Sequence, residues 1–561
     1  MHVFIALMAL ASAIGVSITQ PEDGGIYGSG WIEIRALVQN GNILPDSVTC
    51  SLNGEPAALI PRLNTDWPTY MQNNQNHGYS QSPAPMTSEV LWTAPVCSDW
   101  HTFENPVVVE GVVYQVGRSS VYALEAATGQ EIWSYPIGGH DDPPSYVDGR
   151  LYVQGQDSVY CLDADSGERI WAFHGPNDHG GTPCVLEGRV ACAGYQYQSP
   201  GHTTVYCLSA SDGQLEWSTA ISGQIGNCMA SWNGMFFVGT LNGPLCALDA
   251  STGQTVWSHT ITEGGYWDTS PTIVDGKIYI GGMDGAVHRF DAMTGALEWE
   301  IQVSASIVEP TPAVFEDMII CGAIAPSDSS VFALRMSDGS KVWAIPGSLH
   351  GSPAVADDVV FWGGCVEPYS RVYTADAATG EIIWEFDPSP NPNWGLQCTP
   401  SITDGVMYFG STDGNLYAFG TGLKWTYRDS LHADPGEHEL VVNSWSEGSI
   451  AASDTVSFTI TGSGTGPGPN PVVSLSISPN PFAGTAELTV QADVAGHATL
   501  QVFDLSGRLV RTLLSGEIAA GAHNIFWDSR DGTGNLLPSG IYVCRLSTPS
   551  GVLTRSLCVL R

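Results

Sequence analysis

The chain has 561 residues, with 57 acidic and 19 basic side chains and a formal net charge of −38. A surface this acidic repels nucleic-acid phosphates and anionic lipid headgroups, which excludes nucleic-acid binding and leaves cations, neutral glycans and proteins as partners. Hydrophobic residues at 43% and 64 glycines suit large cores joined by many tight turns, and the length suggests three or four domains.

The apolar run "VFIALMALASAIGV" near the N-terminus is too short to span a bilayer. With "ASA" (11–13) as a small-residue cleavage site, residues 1–15 read as a secretory signal peptide, although the segment before the run lacks Lys and Arg. No other stretch is long and apolar enough for a transmembrane span. Residues 16–63, with "VSITQPEDGGIYGSGWIEIRALVQNG" and "DSVTCSLNGEPAAL", are strand-rich but hold too few strands for a sandwich of their own.

From 64 to 422 one phrase keeps returning. It is "VYALEAATGQEIW" (121–133), then "VYCLDADSGERIW" (159–171), "VYCLSASDGQLEW" (205–217) and "LCALDASTGQTVW" (245–257). "VHRFDAMTGALEW" (287–299), "VFALRMSDGSKVW" (331–343), "VYTADAATGEIIW" (372–384) and a shortened "LYAFGTGLKW" (416–425) complete the series. The phrases close on Trp133, Trp171, Trp217, Trp257, Trp299, Trp343 and Trp384, and Trp92 in "SEVLWTAP" shares their register. Gaps of 38 to 46 residues match one four-stranded propeller blade per repeat. Each unit holds a short strand after a proline, a second strand ending in glycine, the "VYAL" strand, and a Gly turn into the Trp strand. The expected fold is all-β, an eight-bladed propeller with seven as the runner-up. The strand at Trp92 would complete the last blade and leave no edge strand exposed.

The phrase has a physical logic. Gly129 and its equivalents permit the positive φ of a tight turn. Asp163, Asp249, Asp291 and Asp376 can accept backbone hydrogen bonds there. The eight tryptophans offer flat apolar surface to wedge each blade against the next, since one blade cannot bury its own faces. The 13 cysteines include Cys161 and Cys207 in the place of Ala123, as small core residues. Cys184 with Cys192, and Cys544 with Cys558, are candidates to bridge across hairpins in an oxidising compartment.

After the ring, residues 423–461 carry "GEHELVV" and "SDTVSFTI" and resemble, together with residues 16–63, one bacterial Ig-like domain interrupted by the propeller. Insertion is feasible because a ring closed by its first and last strands brings its ends together. Trp425 then falls to the sandwich. "GSGTGPGPNP" (462–471) is a flexible linker by composition. Residues 472–561 hold six acidic and six basic residues against 51 and 13 before them, and read as a second small antiparallel sandwich.

The repeats, over about residues 66–422, look like those of pyrroloquinoline-quinone (PQQ)-type propellers, and "DWPTYMQNNQNHGYS" (66–80) resembles that family's leading segment. The resemblance implies either a quinoprotein alcohol dehydrogenase or a cofactor-free member such as the propeller subunit of the outer-membrane β-barrel assembly machinery. The last ninety residues, with "SPNPF", "DLSGRLV" and "LPSGIYVCRL", are similar to the C-terminal sorting domain of type IX secretion substrates. That implies a Gram-negative bacterium, contact of residues 472–561 with the type IX secretion machinery, and a secreted or cell-surface product.

A quinoprotein dehydrogenase needs calcium, a catalytic base and flat walls around PQQ. The sequence lacks the adjacent "CC" of that class and the haem-attachment "CxxCH" of its haem-bearing branch, and no catalytic residue transfers position by position. Segments leading into each first strand should ring one mouth of the channel. They carry Trp100, His101, Glu104, His140, Asp141, His179, Trp267, Asp268, Glu309, His350, Trp394 and Gln397. Histidines and carboxylates suit a divalent metal, and tryptophans suit a sugar or another flat ligand. The expectation is a non-catalytic binding or scaffold protein for a protein or glycan partner, with no cofactor. PQQ with calcium, or a carbohydrate-active enzyme at the mouth, are the alternatives.

Overall fold

The structure, a computed structural model, describes residues 15–21, 25–27, 31–39, 47–53, 55–59, 65–96, 105–117, 119–138, 142–175, 181–195, 202–225, 228–261, 264–266, 269–304, 307–323, 327–347, 349, 351–364, 371–386, 398–411, 413–432, 436–446, 449–460, 473–478, 482–483, 486–492, 496–503, 509–519, 521–530, 536–537, 540–548 and 551–560. Among these the regular elements are strands and no helix occurs. The chain divides into two compact units, Gln39–Ile43 with Leu63–Thr426, and Met1–Val38 with Leu44–Arg62 and Tyr427–Arg561.

The larger unit is a succession of four-stranded antiparallel sheets on one plan, the seventh extended by a parallel fifth strand, Tyr79–Ser80. Sheet 1 runs Val107–Val109, Val112–Gly117, Ser120–Glu125 and Glu131–Pro136. The first hairpin turns at Glu110 and Gly111, with φ of 50° and 81°, and Asp148-Gly149, Glu187-Gly188, Asn233-Gly234, Asp275-Gly276 and Asp404-Gly405 repeat both positive angles. Two positive angles in a two-residue loop match the right-handed twist of the flanking strands, which is why Asp, Asn or Glu followed by Gly recurs there. Sheets 2 to 7 begin at Ser145–Val147, Cys184–Leu186, Ala230–Trp232, Thr272–Val274, Ala313–Phe315 and Ala354–Ala356. Sheet 8 begins at Ser401–Thr403 and takes its fourth strand, Val90–Pro95, from the other end of the repeat region, with Trp92 opposite Ala418.

Burial falls from the first strand of a sheet to the fourth. Val107–Val109 is buried throughout, whereas Glu131–Pro136 alternates between exposed and half-buried residues. Each fourth strand ends its sheet. The expectation that closure removes every exposed edge is therefore corrected: closure joins the two ends of the repeat region in sheet 8, but the sheets stand side by side and each keeps an outer edge.

One joint repeats from sheet to sheet. The indole N–H of Trp92, Trp133, Trp171, Trp217, Trp257 and Trp343 donates to the carbonyl of Ala126, Ala164, Ala210, Ala250, Ala292 and Ala377 in the following sheet, at 2.9–3.1 Å. Trp299 reaches Met336 O and Trp384 reaches Pro85 O, each at 3.2 Å. The indole also lies on the next sheet's turn: a Cβ on Gly129, Gly167, Gly213, Gly253, Gly295 or Gly380 would stand 2.4–2.8 Å from it. These glycines thus serve both the positive φ of the turn and the approach of the ring. Because Trp92 of sheet 8 docks on sheet 1, the donors form a closed circuit. The residue opposite each Trp is Ala, Cys or Thr except at Arg289.

In the smaller unit, strands from both sides of the repeat region share sheets. Gly15–Gln20, Trp31–Gln39 and Lys424–His432 form one sheet, and Gly25–Tyr27, Ser449–Ile460, Gly436–Ser446, Ser47–Leu52 and Glu55–Leu59 form another. Residues beyond 472 build a three-stranded and a five-stranded sheet around Leu488, Leu500, Trp527 and Leu546. The bridges proposed from sequence do not form. Cys184 lies opposite Ala191 and Cys192 opposite Tyr206, so the pair is out of register, and Cys544 lies opposite Arg555 while Cys558 lies opposite Ile541. The ten cysteines with described side chains are buried thiols, and burial pushes Cys184 and Cys207 up to about 12.

Candidate functional site

Just before most first strands the sequence places a short polar residue followed by proline: Thr182, Ser270, Thr311, Ser352 and Thr399 among them. Proline fixes the backbone and removes a donor, so the preceding residue meets its neighbour. The result is a belt of hydrogen bonds passed from sheet to sheet. The amides of Cys228, Ser270, Thr311 and Ser352 donate to the hydroxyls of Ser270, Thr311, Ser352 and Thr399 at 2.9–3.0 Å, and the Cys228 thiol bonds Thr182 Oγ1 at 3.0 Å. A second set ties Ser145 Oγ to Pro183 O at 2.6 Å, Thr272 Oγ1 to Pro312 O at 2.7 Å and Ser401 Oγ to Pro106 O.

A single segment, residues 65–82, makes a lap along the inner strands. Thr65 Oγ1 donates to Asp404 Oδ1 in sheet 8 at 2.7 Å. The central amides of six first strands, at Val108, Tyr146, Ser231, Ile273, Val314 and Val355, then donate to the carbonyls of Trp67, Pro68, Asn74, Gln75, His77 and Gly78 at 2.6–2.9 Å. In sheet 3 the contact runs the other way, from Asn74 Nδ2 to Val185 O. The lap ends where it began, with Gly405 N donating to Ser82 Oγ at 2.8 Å. These inner edges would otherwise present a row of unpaired donors, so the strap completes them. Trp67, Tyr70, Met71 and Asn76 are buried in it. His77 Nε2 donates to Ile273 O at 2.7 Å, and burial holds the ring below the usual histidine range. Tyr70 rises to the belt, where its hydroxyl bonds Thr311 Oγ1 at 3.0 Å and Ser352 Oγ at 2.9 Å.

The belt breaks at sheets 1 and 2, where Asn105 and Pro143 take its places. Asn105 is fully buried, and neither its Oδ1 nor its Nδ2 has a hydrogen-bond partner. Of the sequence candidates, Glu309 is buried at 5% exposure, two residues before Thr311. Trp100, His101, Glu104, His140, Asp141, His179, Trp267, Asp268, His350, Trp394 and Gln397 lie outside the described residues. Asp141, Asp268, Glu309, His350 and Gln397 share one sequence offset, two positions before the belt. Among the described residues no group of three His, Cys, Asp or Glu side chains has metal-binding geometry. Sequence reasoning missed Tyr70 and Asn105. The recurring hydroxyl before proline was the signal for the belt, and nothing marks Tyr70 apart from its neighbours.

A second polar cluster lies in sheet 5. His288 is fully buried with Nε2 3.1 Å from Asp284 Oδ2 and Nδ1 3.5 Å from Glu300 Oε2. Tyr266 stands edge-on to it at 6.0 Å, and burial, followed by the charges of Asp284 and Glu300, raises the Tyr266 phenol far above its ordinary range.

A circuit of radial four-stranded sheets around an axial strap defines a β-propeller-like protein. Overlapping segments 83–178, 117–199, 155–266, 247–364 and 327–464 match the family described as outer membrane protein assembly factor BamB, and the chain belongs to that family. Residues 475–551 match the FlgD Ig-like domain. The chain is 24% identical over 230 residues to the outer membrane protein assembly factor BamB of Yersinia pestis, covering 36% of this chain and 57% of that one. It is 29% identical over 309 residues to the dehydrogenase subunit of the quinone alcohol dehydrogenase of Gluconobacter oxydans, covering 44% of this chain and 39% of that one. It thus spans just over half the length of the first relative and less of the second. Among solved structures, quinohemoprotein alcohol dehydrogenase from Comamonas testosteroni matches with a TM-score of 0.50 at 16% identity, over 66% of this chain and 82% of that one. At that identity the likeness concerns the fold alone.

Proposed function

We propose that the protein is a secreted or cell-surface binding scaffold: an eight-bladed propeller over 64–422, inserted into an Ig-like sandwich of 16–63 and 423–461. In this reading residues 1–15 are a signal peptide, 462–471 a linker, and 472–561 a type IX sorting domain that directs passage across the outer membrane of a Gram-negative bacterium. The FlgD Ig-like match over 475–551 supports a sandwich at that end, and the export signatures are those of its sequence. The eight tryptophans are inter-blade supports.

The observation that carries the scaffold reading is that the hydroxyl groups of the belt are committed to one another and to the strap. Ser270, Thr311, Ser352 and Thr399 bond across sheets, Tyr70 bonds two of them, and the strap takes up the inner amides. Such an arrangement braces a rigid body whose faces meet partners. The Yersinia relative is an outer membrane protein assembly factor, which makes a protein the favoured partner and a glycan the other.

A second reading, PQQ- and calcium-dependent dehydrogenase or carbohydrate-active chemistry at the mouth, is favoured by the Asn105 amide, buried at the belt's break with both ends unbonded. Asn105 would offer its amide oxygen to calcium there, and PQQ would accept electrons from the substrate. Purified protein incubated with PQQ and calcium separates the readings. The scaffold reading expects no stoichiometric uptake and no dye-linked alcohol oxidation; either result would end it. Cell fractionation of chains with and without 472–561 tests the export reading.

A further inference from the structure

The turn between the first and second strands recurs in all eight sheets, and its first residue holds the same angle each time, a φ of 49–51°. In seven sheets that residue is Asp or Glu, as at Glu110, Asp148 and Asp404. In sheet 4 it is Asn233, followed by Gly234. An exposed asparagine before glycine carries its own chemistry. Glycine has no side chain to shield its amide nitrogen, and its backbone is free enough to bring that nitrogen onto the asparagine carboxamide. The fold accepts an acid at this angle seven times, so it also accepts the acid that asparagine becomes on losing its amide.

The sequence holds four Asn-Gly pairs, of which Asn40-Gly41 lies outside the described residues. Asn53 is held at both ends of its carboxamide, with Oδ1 accepting from the Glu439 amide at 2.9 Å and Nδ2 donating to His438 Nδ1 at 3.1 Å. Asn242 is exposed, but its glycine is buried: a Cβ on Gly243 would stand 2.3 Å from Ser222 O and 2.4 Å from Thr240 Oγ1. The backbone there has no room to swing toward the carboxamide. At Gly234 a Cβ would meet nothing within 4 Å. The Gly234 N–H takes no part in the ladder, which pairs Trp232 with Met235 across the turn. Asn233 Nδ2 donates to Met293 Sδ at 3.2 Å, a weak hold, since thioether sulfur is a poor acceptor.

We propose that Asn233 is a site of spontaneous deamidation and that it reacts ahead of Asn53 and Asn242. The Gly234 nitrogen attacks Asn233 Cγ, forming the N–Cγ bond of a succinimide ring. The Cγ–Nδ2 bond breaks, and Nδ2 leaves as ammonia with the proton that the Gly234 nitrogen gave up. Water then opens the ring, leaving its oxygen in a new carboxylate and returning a proton to the Gly234 nitrogen. No oxidant or reductant is needed. Attack of water at Cγ yields aspartate, the residue type of the sister turns. Attack at the Asn233 main-chain carbonyl yields isoaspartate, which routes the main chain through the side chain and adds one carbon to a two-residue loop. Such a loop sets the register of its strands. The isoaspartate form therefore disturbs sheet 4, where Ser231 N donates to the strap at Asn74 O at 2.6 Å and Ala250 N to Gly234 O at 2.9 Å. The site stands whatever the ring binds.

The test is incubation of the purified full chain at pH 8 in oxygen-18 water, followed by peptide mapping with mass spectrometry. The Asn233 peptide is expected to take up the label and to split into aspartate and isoaspartate forms several-fold faster than the Asn53 and Asn242 peptides. In urea-unfolded chain the three are expected to react at similar rates, because the fold no longer separates them. The Asn233→Asp variant is expected to keep the parent's urea midpoint. The isolated isoaspartate form is expected to show a lower midpoint and faster hydrogen exchange in sheet 4. Equal rates at Asn233 and Asn242 in the folded chain, or conversion at Asn233 confined to the unfolded chain, would overturn the proposal. An isoaspartate form with the parent's midpoint would overturn the consequence drawn for sheet 4.

Discussion

The rim and the axis of the ring are built on opposite plans. At the rim one joint recurs: an indole, a carbonyl of the next sheet, and a bare glycine beneath the ring. At the axis a single strap reaches all eight sheets through unlike residues and has no second copy. Repetition makes the rim tolerant, as the joint between sheets 5 and 6 shows. There Met336 replaces the usual Ala, and Arg289 stands opposite Trp299. The Arg289 guanidinium bonds Met336 O at 3.0 Å and Ser337 O at 3.1 Å and lies 5.8 Å above the Tyr279 ring. The indole bond survives this substitution at 3.2 Å. A fault in the strap has no neighbouring copy to absorb it.

The contrast predicts where the largest damage falls. Gly78 holds φ at +59°, and a Cβ there would stand 2.4 Å from Met71 Cε and 3.1 Å from Ala313 Cβ. Met71 is itself fully buried, and the backbone carbonyl of Pro353 closes the other side at 3.2 Å. Gly78→Val combines a left-handed β-branched residue with overpacking, and is expected to cost about 5 kcal/mol or to prevent folding of the ring. Urea denaturation followed by tryptophan fluorescence measures it. A loss below about 1 kcal/mol would show that the strap is dispensable. Trp343→Ala removes a buried indole and its bond to Ala377 O. It is expected to cost about 3 kcal/mol, with hydrogen exchange rising in sheets 6 and 7 and not across the ring. Exchange rising in all eight sheets would erase the distinction between rim and axis. Tyr70→Phe leaves the ring in place and removes only the hydroxyl shared by Thr311 and Ser352. A cost of about 1–2 kcal/mol is expected from the two hydroxyls it abandons.

Legibility followed the same division. The rim could be read from sequence because each of its parts answers a local demand that recurs: glycine for a positive φ, a small residue opposite the indole, aspartate for the turn. The turn bonds follow the same rule, with Asp163, Asp249, Asp291 and Asp376 each accepting a backbone amide three residues on. The strap could not be read this way. Its sequence, "TDWPTYMQNNQNHGYSQS", has neither strand alternation nor helical periodicity, since its hydrogen bonds go to eight different sheets and its conformation is set by them. The disulfide expectation failed for a related reason. Sequence proximity brought Cys184 near Cys192, but a one-residue difference in register puts them on opposite faces. At the candidate site, chemistry-bearing residue types were easy to find and their convergence was not. The described part of the axis is instead dominated by serine, threonine and one tyrosine, residue types too common to stand out.

The smallest effect tests the most local element of the rim. Asp249 Oδ1 accepts from the Ser251 and Thr252 hydroxyls at 2.7 and 2.8 Å and from the Thr252 amide at 2.9 Å. The Ser251 hydroxyl and then the Thr252 hydroxyl hold its carboxyl below the usual range. A depressed folded-state value means the charged form is favoured by folding. The contribution is present above the ordinary carboxylate pKa of about 4 and is lost as pH falls through the depressed value. Because the side chain is exposed, solvent screening keeps the contribution to a few tenths of a kcal/mol. Asp249→Asn retains an acceptor oxygen and removes the charge. The variant should therefore be slightly less stable than the parent at pH 7, and the gap between their urea midpoints should narrow as the pH falls below the ordinary carboxylate range. The turn of sheet 3 provides the control. It carries Ser209 where sheets 2, 4, 5 and 7 carry aspartate, so Ser209→Ala should leave the acid slope of the midpoint unchanged. A gap between parent and Asp249→Asn that widens toward pH 3 would mean that the carboxylate opposes the turn rather than fixing it.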